Sequence, residues 1–315
     1  MECFKCGEKA VFKLQHGAVC KKHFLEGFEE KVFKTIRKYG LFSQEDKICV
    51  ATSGGKDSLA VLYMTMQFCK EHGIDFFALA IDEGIAGYRD HTLDDLRTFC
   101  EQYKITLYVK SFKEEFGDTL DVLREKALTK LNKKPCTVCG VLRRTLLNKH
   151  AKALGATKLV TGHNLDDEAQ SYMMNLLKGN MSHNAKLGPM TGITQHNAFV
   201  QRVKPLYCVT EQETRLFAFL KGFKVEFTEC PNIDESFRRL VRDELNTLEE
   251  ANPGCKHGMV NAFLEVLPLL KDHYKKGCKQ KEGSSEVKAC KKCGEPCVRD
   301  VCNACQLMEA LCEEN

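Results

Sequence analysis

The chain has 315 residues, 43% of them hydrophobic and 29% charged, with a formal net charge of +4. That length and balance support one substantial core with room for small accessory modules, and they exclude a disordered chain. No apolar run is long enough to span a bilayer, so no membrane partner is expected, and the opening Met1-Glu2-Cys3 is neither a signal nor a transit peptide, which points to the cytoplasm.

The first pattern along the chain is Cys3-x2-Cys6-x13-Cys20-x2-His23. Paired soft ligands at this spacing suit a tetrahedral Zn²⁺, and a segment too short for its own core takes its folding energy from the metal. Residues 1–27 are therefore expected to form an N-terminal zinc finger. From residue 28 to 275, strand and helix signals alternate. Lys47–Ala51 reads as a buried strand and Leu59–Glu71 as the helix after it. The next strand is Phe76–Ile81 and the next helix His91–Tyr103. Ile105–Val109 is a strand, Val141–Leu154 a helix, Lys158–Thr161 a strand, Leu165–Leu177 a helix and Lys224–Thr228 a strand. Such alternation predicts an α/β domain: a parallel sheet with helices on both faces, Rossmann-like.

A polar stretch, Lys279–Glu286, reads as a linker to a second finger at residues 287–315. Its pattern is Cys290-x2-Cys293-x8-Cys302-x2-Cys305, with Cys297 and Cys312 as spare or competing ligands. Two Zn²⁺ ions are thus expected. Lysines crowd the segment Lys271–Lys292, either as a solvated face or as a phosphate-contacting surface. The chain holds 18 cysteines. In a reducing compartment they are thiols or metal ligands, and the isolated Cys49, Cys69, Cys100 and Cys208 read as core filler.

Between the first strand and helix lies Ser53-Gly54-Gly55-Lys56-Asp57-Ser58. Glycines let backbone N–H groups approach phosphate oxygens, and the helix that follows offers its N-terminal dipole to an anion. Ser53 and Ser58 add hydroxyls and Lys56 a positive charge. Asp57 would repel a phosphate unless Mg²⁺ lay between them. The Walker spacing is absent. The segment resembles instead the PP-loop of N-type ATP pyrophosphatases, which split ATP between its α and β phosphates and adenylate a substrate oxygen.

Gly162-His163-Asn164-Leu165-Asp166-Asp167-Glu168 follows another strand and belongs at the same carboxyl edge of the sheet. Its adjacent carboxylates suit Mg²⁺ on a pyrophosphate, or simply the capping of a helix by Asn164. Ala51, Ile81 and Asp82 at strand ends, with Gly162 and Asp166, complete the expected nucleotide contacts. Pro135-Cys136-Thr137-Val138-Cys139-Gly140 precedes a helix. Its spacing leaves open a metal centre, with Cys230 of Glu229-Cys230-Pro231 as third ligand, or a redox pair.

Together these motifs, with Arg143-Arg144 and Lys204-Pro205-Leu206, resemble the TtuA/NcsA group of tRNA 2-thiouridine synthetases over nearly the whole chain. The resemblance implies a [4Fe–4S] cluster on Cys136, Cys139 and Cys230, ATP at the PP-loop, and catalytic roles for those cysteines, Asp167 and Arg143. Arginine suits phosphate stabilisation there, not proton transfer. It further implies a tRNA substrate and a sulfur donor, either sulfide or a sulfur-carrier protein. In relatives of the wider family the paired cysteines have also been assigned a disulfide or persulfide role. A wide tRNA substrate suits paired copies of the chain, a homodimer. The expected reaction is adenylation of a uridine C2 oxygen followed by sulfur transfer. Gly162–Gln170 looks like the enzymes that act on the T-loop uridine, whereas the wealth of Cys, Met, Asn and Gln argues against a hyperthermophile and for the wobble uridine. Cytidine 2-thiolation and a non-catalytic zinc-knuckle RNA-binding protein are the competing readings.

Overall fold

The computed structural model describes residues 1–14, 17–193, 196–225, 230, 237–280 and 287–312, with backbone alone at 14 and 276–280. Of the expected strand 224–228 and linker 279–286, residues 226–228 and 281–286 fall outside the described residues, as do Glu229 and Pro231. In chain order, β1 (Phe12–Leu14) and β2 (Gly17–Val19) form a hairpin ahead of α1 (Lys21–Lys38). The central part follows as β3 (Lys47–Ala51), α2 (Lys56–His72), β4 (Asp75–Asp82), α3 (Arg89–Tyr103), β5 (Leu107–Ser111), α4 (Phe112–Phe116), α5 (Leu120–Leu131), α6 (Pro135–Ala153), β6 (Lys158–Val160), α7 (Leu165–Leu177), α8 (Met181–Asn184), β7 (Gln201–Val203) and α9 (Glu211–Leu220). Helices α10 (Phe237–Ala251) and α11 (Cys255–Gln280) lead to β8 (Lys288–Ala289), β9 (Pro296–Cys297) and α12 (Asn303–Cys312).

Strands β5-β4-β3-β6-β7 form one parallel sheet in that order. The chain moves outward from β3 through β4 to β5, then returns to the other side of β3 with β6. The switch point therefore lies between β3 and β6, where the loops at the strand ends part and leave a crevice. Burial on both faces explains why β3 is apolar without alternation. Its side chains still alternate between layers: Ile48 and Val50 join one core, with Phe28, Leu59, Leu96 and Phe217, while Cys49 joins the other, with Leu159 and Ala151. Helix α2 lies in the middle of the first layer and is buried nearly all round.

Both ends of the chain pack against the central domain, the N-terminal end in the first of these cores and the C-terminal end in a separate cluster. Helix α1 crosses the expected boundary near residue 27, and Phe28 stacks on Phe217 of α9 with ring centroids 4.0 Å apart. Cys3, Val19 and Cys20 belong to the same cluster. At the other end, Cys290, Cys302, Leu307 and Leu311 pack with Leu123 of α5 and Val138, Leu142 and Leu146 of α6. Helix α6 begins six residues before the expected Val141. Pro135 takes its first position, where a missing N–H is harmless, so the Cys-x-x-Cys lies on the helix and not ahead of it.

Candidate functional site

The crevice at the switch point holds a cavity of about 260 Å³. Ala51, Ser53, Asp57 and Ser58 line it from the β3–α2 turn, Ile81, Glu83 and Arg89 from the end of β4 and the start of α3, and Gly162, His163 and Asp167 from the β6–α7 turn. Arg143 and Leu147 of α6 close it. Three separate sequence motifs thus meet in one place.

The glycines of the turn serve chain packing as well as access. Gly54 has φ +84°, and a Cβ there would stand 2.2 Å from the carbonyl oxygen of Thr92. A Cβ on Gly162 would stand 3.0 Å from the carbonyl of Asp57. The phosphate turn can therefore approach α3 only because Gly54 lacks a side chain, and the β6–α7 loop only because Gly162 does. Ser58 Oγ donates to Gly55 O at 2.8 Å and lies within 3.4 Å of Ser53 Oγ, so the two expected hydroxyls are neighbours. Lys56 pairs with Asp57 at 2.9 Å and Glu211 at 2.8 Å, which keeps it charged; neither it nor Gly54 and Gly55 lines the cavity.

Three carboxylates line this cavity: Glu83, paired with Arg89, and the two acids of the flanking turns, Asp57 and Asp167. Burial pushes Asp57 up to about 6, against the pull of Lys56 and with a further push from the charge of Asp167. Burial also raises Asp167. Asp57 pairs with Lys56 and Asp167 with Arg238 at 3.4 Å, and two such neighbouring carboxylates remain a donor set that fits Mg²⁺. Asp167 is held by a capping box: its N–H donates to Asn164 Oδ1 at 3.1 Å while its Oδ2 accepts from Asn164 N at 3.2 Å. Such a cap contributes about 1 kcal/mol. Asp166 is engaged differently. One of its oxygens accepts from Glu211 N at 2.7 Å and the other from Lys256 Nζ at 2.5 Å, and it lines a smaller, neighbouring cavity. Asp82 accepts from Gly84 N at 2.9 Å, within its own turn, and does not line the cavity.

Cys136, Cys139, Arg143 and Leu147 are spaced i, i+3, i+7, i+11 and make one stripe of α6. One helical turn, about 6 Å of rise, carries the stripe from Cys139 to the cavity wall at Arg143. Cys230 reaches the same neighbourhood: its charge acts on Cys136 and Cys139, and it packs on the cluster behind α6 with Cys139. Burial raises both paired thiols, Cys139 to about 12, against the pull of Arg143. Such thiols are not activated nucleophiles in themselves; a metal centre would take them as thiolates. Three converging thiols are a donor set that fits an iron–sulfur cluster.

The end motifs each gather four ligand atoms within 4.8 Å of one another: Cys3, Cys6, Cys20 and His23, and Cys290, Cys293, Cys302 and Cys305. Both fit one Zn²⁺ in a closed tetrahedral site. Cys297 lies beside Cys290 but outside this quartet, donating to Arg299 O at 2.8 Å, and Cys312 lies exposed at the end of α12.

A PP-loop domain family matches residues 25–249. The tRNA 2-thiolation protein NcsA of Haloferax volcanii is 34% identical, over 99% of both chains. The tRNA-5-methyluridine(54) 2-sulfurtransferase of Pyrococcus horikoshii is 33% identical over 97% of this chain and 93% of its own. The chain belongs to the PP-loop family of tRNA 2-thiolation enzymes. The solved U34-tRNA thiolase NcsA of Methanococcus maripaludis, with its [4Fe-4S] cluster, superposes with a TM-score of 0.80 at 32% identity, covering 100% of this chain and 98% of that one.

In this member of the tRNA 2-thiolation family, several groups that shape the site escape motif reading. Arg89, 2% exposed, donates to Ser53 O and Ile81 O at 2.5 Å each, tying the ends of β3 and β4 together. Glu83 pairs with it at 3.0 Å. The signal was an arginine in the first turn of α3, where a cation opposes the helix dipole and needs a local partner. Glu168, 1% exposed, accepts from Lys204 at 2.6 Å and from Gly188 N at 2.7 Å, which gives the Lys-Pro-Leu motif a bracing role beneath α7. Burial, then Lys204, pushes His163 down to about 3, so a neutral imidazole faces the cavity.

Proposed function

We propose that this chain thiolates C2 of a tRNA uridine, with ATP in the cavity at the sheet edge and sulfur delivered at Cys136, Cys139 and Cys230. One observation carries the reading: Arg143 lines the nucleotide cavity and stands one helical turn from Cys139. Activation and sulfur delivery thus share one wall.

The chemistry balances without a redox step. The uridine C2 oxygen attacks the α-phosphorus of ATP and pyrophosphate leaves. Hydrosulfide then adds at C2, its proton is lost, and AMP departs with the oxygen. A [4Fe–4S] cluster on three thiolates would keep one iron open to an exogenous sulfide. The protein's own groups do the rest. The Ser53–Ser58 turn and the first turn of α2 bind phosphates. Asp57 and Asp167 would hold Mg²⁺ on the pyrophosphate. Arg143 stabilises the charge that develops on the α-phosphate. The uridine must leave its stack to reach a site at this depth.

The wobble uridine is the proposed target. The solved relative named for U34 aligns over the whole chain, which supports it. The Pyrococcus horikoshii relative, named for position 54, supports the T-loop as second reading. Anaerobically purified protein, incubated with unmodified tRNA, ATP and sulfide, is expected to yield 2-thiouridine, AMP and pyrophosphate in equal amounts, and mass spectrometry of nuclease fragments assigns the position. Arg143→Ala is expected to slow thiolation about 100-fold or more while keeping its iron. Protein without iron, with thiolation unchanged in Cys230→Ala, would remove the cluster from the mechanism.

A further inference from the structure

Helix α6 turns another face to a larger groove that the sulfur chemistry leaves unused. Val141, Arg144, Thr145 and Asn148 follow one another at i, i+3, i+4 and i+7 and form one wall. Phe199, just ahead of β7, and Arg202 within it form a second, and Pro296 and Cys302 of the C-terminal module a third. The space is about 430 Å³. That is within the range of sites that enclose a small organic molecule.

The charge of this groove is unbalanced. Arg144 and Arg202 both line it, and among the described residues neither is paired with a carboxylate. Arg202 Nη2 instead meets the backbone oxygen of Arg144 at 3.4 Å. The lining carboxylate, Glu295, faces Asn148 Nδ2 at 3.4 Å. Partial burial and then the neighbouring charges of Arg144 and Arg143 pull Arg202 down to about 10. Two guanidinium groups against one carboxylate, itself hydrogen-bonded to Asn148, leave the lining net positive, which suits an anion.

The groove also offers flat apolar surfaces. Phe199 is 45% exposed, and its ring centroid lies 6.3 Å from that of His196. A ring left open beside guanidinium groups is the combination that stacks a nucleobase while gripping its phosphate. Gly140 links the groove to the site. A Cβ there would stand 3.0 Å from Arg144 Nη1, so the guanidinium folds back over the helix turn that carries Cys139.

We propose that this groove holds a nucleotide of the tRNA strand next to the target uridine, its phosphate on Arg144 and Arg202 and its base against Phe199 and His196. The proposal rests on the thiolation reading. It gives the C-terminal module a wall in the RNA path, and it calls for a single-stranded segment, because a base stacked in a duplex has both faces covered and cannot lie against Phe199.

The test is the affinity of the holoprotein for a fluorescently labelled tRNA, measured by anisotropy across a salt series. Arg144→Ala/Arg202→Ala is expected to weaken binding and to make the log–log salt dependence shallower by about 0.7, the value for one single-strand phosphate contact. Phe199→Ala is expected to weaken binding about five- to a hundredfold at unchanged salt slope. Unaltered ATP affinity and iron content show that the variants are folded. Parent and double variant with equal affinity and equal slope would overturn the proposal while leaving thiolation standing. A parent that does not bind tRNA would overturn the thiolation reading, and this one with it.

Discussion

Arg143 Nη1 stands 3.4 Å from Glu83 Oε1, and the other oxygen of Glu83 is held 3.0 Å from Arg89 Nε. One buried carboxylate therefore joins the helix that bears the paired cysteines to the residue that ties β3 and β4 together. Glu83→Gln removes its charge at constant shape and strands Arg89, 3% exposed at its side chain. The expected cost is about 3 kcal/mol, read as a lower urea midpoint. An unchanged midpoint would show that the pair does not brace the site.

Asp57 yields a prediction with a definite sign. Its folded-state value, about 6, lies above its ordinary 3.8, chiefly through burial. The folded protein therefore holds that proton more tightly than the unfolded chain. Stability from this group is greatest at low pH, falls as pH rises from about 4 to about 6, and is flat above that. Asp57→Asn should stabilise the metal- and nucleotide-free protein by about 1–3 kcal/mol above pH 6, with no gain below pH 4, while weakening Mg·ATP binding. Thermal melts at both pH values decide it. A variant less stable at pH 7.5 would refute the assignment.

Gly162 and Gly140 should respond oppositely to alanine. At Gly162 the nearest atoms to an added Cβ are backbone atoms of Asp57 and Ser58, at 3.0–3.1 Å, which cannot yield without moving the phosphate turn. About 1–3 kcal/mol of stability and much of the ATP affinity should be lost. At Gly140 the nearest atom is the flexible end of Arg144. There the better helix propensity of alanine should leave stability unchanged or raised by up to about 1 kcal/mol. Calorimetric melts and ATP titrations of both variants check the contrast.

The two zinc-type quartets should differ in reach. Cys290 and Cys302 pack against Val138, Leu142 and Leu146, the buried side of α6, whereas Cys3 and Cys20 pack with α1. Cys302→Ala should raise hydrogen exchange across residues 138–146. Cys20→Ala should raise it in α1 and leave α6 protected. Equal protection of α6 in both variants would mean that the C-terminal module merely abuts the helix.

Much of this was legible in the chain because local rules agreed. Lys47–Ala51 and Leu165–Leu177 begin and end where pattern and capping place them, and each end quartet is short-range. The start of α6 was obscured because a Cys-x-x-Cys reads as a knuckle before it reads as a helix. What sequence could not supply was pairing at a distance. Glu168 with Lys204, Asp166 with Lys256 and Lys56 with Glu211 join residues 36, 90 and 155 positions apart. The lysine-rich segment read either as a solvated face or as a phosphate-contacting surface; within it Lys291 pairs with Asp300 and Lys292 with Glu309. The arginines of the α6 groove lie outside that segment.

Helix α6 presents cysteines and Arg143 on one face, Arg144 and Asn148 on another, and Val138, Leu142 and Leu146 to the core. A rigid rod with three assignments cannot tolerate an indel. One residue inserted between Cys139 and Arg143 would rotate everything after it by about 100°, swinging Arg143 off its wall and turning a core leucine to water. Loops elsewhere in the molecule are free to lengthen across related proteins, but the interval from Cys136 to Asn148 has to keep its length.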